Sequence, residues 1–358
     1  MPQPDRDVWI SFGLLESTDD AVRQMRATHP GRCLLRPTTE SLINISRILD
    51  WVHNCEQRHR DQCQLPTGVP FAEAFRGLPF IRLIDVQDSC LVEKQSLVKY
   101  ITLSYVWGAA VNLRLTRANR PALLMPGSLN KVSARLPETI RDAITVVQRL
   151  GCRCLWVDAL CLTQNDADEL DQGVGAMDLI YERAWLTIVA ACGHDAHSRL
   201  PGVQDGTRKP SINTCHVMPG ITMGVVVGLD DLLSRSVFQE RALSRRAIYF
   251  VDDKIFYRCR RTTKAEHMVD LPPMMQPSLR TIPQFLANAV LILDPIFDYY
   301  WILRLYTTRI FTDQSDAPRA MAGIIQRFSV AMRCQFLEGL PTANFDLFIL
   351  LERFNVNS

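Results

Sequence analysis

The stretch RCLWVDALCLTQND, residues 153–166, decides the fold. Leu155, Trp156 and Val157 form an apolar run that stops at Asp158, and Thr163, Gln164, Asn165 and Asp166 crowd in behind it. An apolar run with a helical pattern on either side reads as a buried strand of a parallel sheet. Open α/β sheets take their ligands beyond the carboxyl ends of such strands, and this polar tail falls there.

Working outward, the preceding helix is the best marked in the chain. Pro137 opens it, Glu138 lies in its first turn and Gly151 follows its last. Ile140, Ala143, Ile144 and Val147 fall on one apolar face, so Ile144 and Val147 are expected to be nearly fully buried. On the other side, Asn165 or Asp166 can cap a helix carrying Leu170, Val174, Met177, Tyr181 and Ala184. Tyr100–Tyr105 and Leu186–Ala191 read as two further strands, giving βαβαβ. Right-handed crossovers make the three strands parallel. Three polar clusters then share one sheet edge: Ser104–Gly108, Asp158–Asp166 and Gly193–Asp195. The predicted class is α/β, a parallel sheet with helices on both faces, plus further α+β elements towards the C-terminal side.

Beyond this unit, Ile81–Val86, Ile221–Gly228 and Ala247–Cys259 read as strands, the last as a hairpin around Asp252-Asp253-Lys254. Asp230–Ser244 reads as a short helix, and residues 283–306 and 316–338 look helical. Ala109–Arg135 is a long βα connection without clear periodicity, and long loops are often functional or mobile. A formal net charge of +2 with dispersed Lys and Arg gives no reason to expect nucleic-acid binding. Leu286–Tyr306 is apolar but interrupted by Asp294, Pro295, Asp298 and Arg304, which argues against a membrane span. No apolar signal-peptide core follows the start, and eleven cysteines are too sparse for a disulfide scaffold. Reduced thiols in a cytoplasmic protein are therefore expected.

Cys55, His59 and Cys63 recur every fourth residue within a predicted helix over Glu40–Arg60 and just beyond it. That spacing suggests zinc, but eight residues of continuous helix rise about 12 Å. Two thiolates on one zinc lie within roughly 4 Å of each other. All three could share a metal only if the helix broke, and no CxxC motif supplies a partner pair. The expectation is buried or half-buried side chains and no metal site.

Tyr100-Ile-Thr-Leu-Ser-Tyr-Val-Trp-Gly108 resembles the opening motif of the fungal heterokaryon incompatibility (HET) domain. Leu136–Ile144, Leu150-Gly151 and Leu155–Cys161 with Gln164, Asp166 and Asp168 resemble its central portion, and Thr187–Ala191 closes it. Trp51, Cys55, His59 and Cys63 before Arg82–Val86 are similar to the family's lead-in, and Gln239–Ser244 with Arg246 and Phe250 to the segment that follows. Val237 departs from the family, which usually has tryptophan there. The resemblance implies a lead-in over 1–80, a HET-like α/β domain over 81–260 and a mostly helical region over 261–358. It also implies self/non-self recognition, with cell death triggered through association with protein partners and no required cofactor. In outline the domain is similar to the TIR (Toll/interleukin-1 receptor) fold, some members of which cleave NAD. NAD is then a candidate substrate.

Ser104, Tyr105, Trp107, Gly108, Asp158, Gln164 and Asp166 are the candidate ligand-binding residues. Trp107 can stack a ligand ring or pack under the long loop, and Gly108 permits close backbone approach. Asp158 can bond a ribose hydroxyl or cap the next turn. Cys161 and His194 suggest a nucleophile pair, though a small thiol after a buried strand is more often packing. Gly173-Val-Gly175 begins like a phosphate loop but sits inside a helix pattern. Glu240 is the candidate catalytic carboxylate on the TIR-like reading, by stabilising an oxocarbenium-like centre, and otherwise a salt-bridge partner of Arg241 or Arg245.

Overall fold

A computed structural model describes residues 11–15, 34–35, 40–65, 68–108, 113–193, 195–208, 214–218, 221–226, 229, 243–268, 295–296, 299–300, 302–303, 317–346 and 348. Its centre is an eight-stranded mixed sheet. In chain order the strands are β1 (Ile81–Asp85), β2 (Cys90–Lys94), β3 (Tyr100–Ser104), β4 (Cys154–Trp156), β5 (Leu186–Ala190), β6 (Arg246–Val251), β7 (Lys254–Cys259) and β8 (Thr263–Ala265). Across the sheet they lie in the order β8-β7-β6-β5-β3-β4-β1-β2.

Strands β5, β3 and β4 are parallel, as expected for the βαβαβ unit, and β6 adds a fourth parallel strand beside β5. Thr102 lies opposite Trp156 on one side and Thr187 on the other. All five residues of β3 are buried, so its apolar positions cannot alternate with exposed ones. The flanks are antiparallel hairpins, β1–β2 at one end and β6–β7–β8 at the other, which makes the sheet mixed. The β6–β7 turn falls at Asp252-Asp253, where Asp252 has φ 49°. In the β1–β2 turn the Asp85 carboxylate accepts from the Gln87 and Asp88 N–H groups, both at 3.0 Å.

The crossover from β3 to β4 and that from β4 to β5 run in opposite directions along the sheet. Right-handedness therefore puts their helices on opposite faces. The first is α3 (Glu138–Arg149). Ile140, Ala143, Val146 and Val147 are buried on it, whereas Ile144 is only half-buried. The predicted face was rotated slightly: Val146 takes the central place expected of Ile144. The second crossover is split at Ala176 into α4 (Ala167–Gly175) and α5 (Met177–Arg183). Asp166 caps α4 by accepting from Glu169 N–H at 3.3 Å. Gly173 serves packing: an added Cβ would lie 2.3 Å from Leu162 Cδ2, so that side chain would have to move. From α5, Tyr181 donates to Leu103 O at 3.3 Å, and Tyr100 donates back to Ile180 O at 2.7 Å.

Polar side chains also cross the sheet. Thr102 and Thr187 hydroxyls lie 2.8 Å apart on adjacent strands, and the Ser244 hydroxyl lies 2.7 Å from Thr187. Outside the sheet, helices α1 (Ile45–Arg58) and α2 (Arg60–Cys63) form the lead-in, and Asn44 caps α1 on Arg47 N–H. A small sheet joins residues 11–15, 34–35, 214–218 and 221–226. Helix α6 (Ala317–Met332) matches the helix expected at 316–338, and Tyr299 packs on Phe328, Phe336 and Phe348 nearby. Most of the helix expected at 283–306 and of that at 230–244 lies outside the described residues. The predicted long loop contains short helical turns at Arg120–Leu123 and Ser128–Lys131. Among the described residues, no helix is long and apolar enough to cross a membrane.

Ile140→Ala should cost about 2–5 kcal/mol, the usual loss for a fully buried large-to-small change. Ile144→Ala should cost clearly less. Urea unfolding of both variants checks this, and equal losses would contradict the burial difference.

Candidate functional site

The carboxyl ends of β3, β4 and β5 emerge at one edge, as the parallel register requires, and carry the predicted polar clusters. Trp107 and Asp158 meet there: the indole N–H donates to the carboxylate at 2.8 Å. The other Asp158 oxygen accepts from Ala159 N–H at 2.7 Å, opening the turn Asp158–Cys161. Arg114, from the long β3–α3 connection, stacks over the Trp107 ring at 4.7 Å. The indole is thus held on its edge by a carboxylate and on a face by a guanidinium. Gly108 follows with φ 68°, a left-handed conformation that favours glycine.

The remaining predicted residues are also held by the protein. Gln164 donates to the Asp158 and Leu162 carbonyls at 3.1 and 3.0 Å. Asp166, besides capping α4, pairs with Arg117 at 2.8 Å, and that guanidinium holds its carboxyl below the usual range. Tyr105 is buried, and burial followed by the nearby Asp158 charge pushes its phenol up. Ser104 Oγ is buried and has no hydrogen-bond partner among the described residues. Cys161 is buried beneath the edge, accepts from Val157 N–H at 3.3 Å, and has its thiol pushed up to about 12 by burial. That is opposite to what an activated nucleophile needs. Its proposed partner His194 and the candidate Glu240 lie outside the described residues.

A second cluster lies elsewhere, where the helix break named above as the condition for convergence occurs. Helix α1 stops at Arg58, and His59 leaves helical geometry with φ −117° and ψ 33° before α2 resumes. This break lets Cys55, His59 and Cys63 converge on Cys259 at the end of β7. One ligand atom from each of the four lies within 4.8 Å of every other. Cys259 Sγ and His59 Nδ1 are 3.4 Å apart. All three cysteines are buried and His59 is half-buried. Hydrogen bonds from Cys259 and Cys63 hold the Cys55 thiol well below the usual range, and its bond to Cys55 pushes Cys259 up. The expected burial of these side chains holds, and what the sequence reading lacked is their convergence on Cys259. Sequence spacing alone could not find Cys259, which is 200 positions from His59.

Residues 100–248 match the family model of the heterokaryon incompatibility protein (HET). Over those residues the chain is similar to a HET domain. No curated protein matches the chain, and no solved structure does. The HET match begins on the first residue of β3 and ends within β6, so it covers three of the four parallel strands in full and both crossovers between them. The β1–β2 hairpin, the lead-in helices and all of β7 fall outside it.

Glu182 on α5 ties the HET segment to these flanks. It accepts from Arg245, Arg260 and Arg327 at 3.3, 3.1 and 2.7 Å. Arg245 and Arg260 in turn donate to the Gln64 and Gln62 carbonyls beside Cys63. Burial opposes ionisation of Glu182, but the three guanidinium groups, Arg327 foremost, bring its carboxyl down to about 2. A depressed folded value adds stability that is complete above the ordinary 4.5 and lost as pH falls towards about 2. In thermal unfolding, the wild type's advantage over Glu182→Gln should shrink as pH falls through that window. An advantage constant down to the lower limit would contradict the ion-pair assignment.

Proposed function

We propose that this chain acts in fungal heterokaryon incompatibility, recognising non-self and triggering cell death through association with protein partners. The observation that carries this reading is the HET match over β3, β4, β5 and the first half of β6. The carboxyl edge adds support. Its predicted carboxylates and amide are engaged by Trp107, Arg117, Ala159 and backbone carbonyls, an arrangement suited to fixing a surface shape. Such preorganised edges favour recognition of a partner with little rearrangement.

The second reading, NAD cleavage, rests on one feature of the edge. The buried Ser104 hydroxyl, without a described partner, sits where open α/β sheets accept ligands. Glu240 would supply the carboxylate that stabilises the departing sugar's positive charge.

Controlled expression of the full chain in a filamentous fungus should lower viability. Asp158→Ala, which releases Trp107, should relieve that effect while the purified variant stays folded. Unchanged viability on wild-type expression would count against the incompatibility reading. Incubation of purified protein with NAD separates the mechanisms. Association predicts intact NAD; NAD loss with the wild type but not with Glu240→Gln would replace it with cleavage.

A further inference from the structure

We propose that Cys55, His59, Cys63 and Cys259 bind one zinc ion in a closed structural site that fastens the α1–α2 lead-in to the end of β7. Three thiols and one imidazole form a common structural zinc set, and four protein ligands leave no position for substrate.

The geometry agrees with a single ion. Bonds of about 2.3 Å to sulfur and 2.0–2.1 Å to nitrogen imply tetrahedral S···S and S···N separations of about 3.8 and 3.6 Å. The Cys259–His59 separation is 3.4 Å, and no two of the four ligand atoms are more than 4.8 Å apart. A disulfide would join only two of the thiols and leave the third beside an imidazole without a shared purpose. One ion uses all four, with the thiol protons passing to solvent on binding.

The surroundings suit an anionic centre of three thiolates and one imidazole. Three thiolates around a dication leave one net negative charge. Arg246 Nε lies 3.3 Å from Cys55 Sγ, and Arg261 N–H donates to Cys259 Sγ at 3.4 Å. Such outer contacts orient ligands and tune affinity. The helix break at His59 is explained as well, since unbroken helix would carry Cys63 away from Cys55.

The site lies wholly outside residues 100–248. It joins segments that precede and follow the HET match, closing the chain around the parallel core. Linking residues so far apart restricts the unfolded chain strongly. The HET fold of this protein is thereby completed by its flanks.

The test uses the full chain purified under reducing conditions without chelator. Mass spectrometry of metals should find about one zinc per chain. Mercurial titration of the thiols should release that zinc in step with modification of the cluster, and the stripped protein should melt lower and regain its melting temperature on adding zinc chloride. Loading with cobalt(II) instead should give thiolate-to-metal absorption and tetrahedral ligand-field bands. Cys259→Ser should lose most of the zinc, while Cys334→Ser, outside the cluster, should keep it. If Cys259→Ser does not fold, Arg246→Met should weaken zinc binding about 10–100-fold. Protein that purifies without zinc and gains no stability from zinc chloride would overturn the proposal. So would a disulfide between any two of Cys55, Cys63 and Cys259 in freshly prepared protein.

Discussion

Tyr100–Ser104 has a parallel neighbour on each side and no exposed residue, and this constraint organises the protein. A strand buried on both faces must be covered twice, so the two crossovers from this unit take opposite faces. Parallel neighbours also bring their carboxyl ends to one edge. Every polar group that leaves the sheet there needs a partner close by. Trp107, Asp158, Gln164 and Asp166 supply partners for one another and for local backbone, and the long β3–α3 connection adds Arg114 and Arg117.

Around this core, distant segments are joined by buried charge. Arg82 on β1 is buried between Glu93 of β2 and Glu169 of α4, at 3.0 and 2.6 Å. Arg208 and Glu266 pair at 2.6 Å, both almost fully buried, and Glu266 also accepts from Asn44 N–H at the start of α1. Glu182 gathers three arginines from three parts of the chain. Such pairs add little net stability compared with apolar packing, but removing one partner strands a charge and costs about 3–5 kcal/mol. They fix which segments meet.

The legible part of the fold was the part written in local periodicity. The α3 face, the Asp166 cap, the three parallel strands and the β6–β7 hairpin each follow from a few neighbouring residues. Long-range pairing was less visible. Nothing near Ile81–Asp85 states that it runs antiparallel to β4, and Arg82 inside an apolar run gave no sign of its two carboxylate partners. The Cys55–His59–Cys63 spacing suggests a shared site only across a broken helix, and 3.6-residue periodicity carries no mark of the break at His59. Its fourth member comes from the far side of the chain. The carboxyl edge was located correctly, while the partners of its residues depended on a connection with no pattern of its own.

The threonine pair that spans β3 and β5 has an evolutionary consequence. Thr102 and Thr187 share a hydrogen bond inside the sheet, and Thr187 also meets the half-buried Ser244 just before β6. A single change to valine keeps the shape but leaves a neighbouring hydroxyl in the dark interior with one bond fewer, which is costly. Changing the set together removes the unmet groups and can be nearly neutral. Replacement at the two threonines is therefore coupled, and a paired change costs less than the sum of the two single ones.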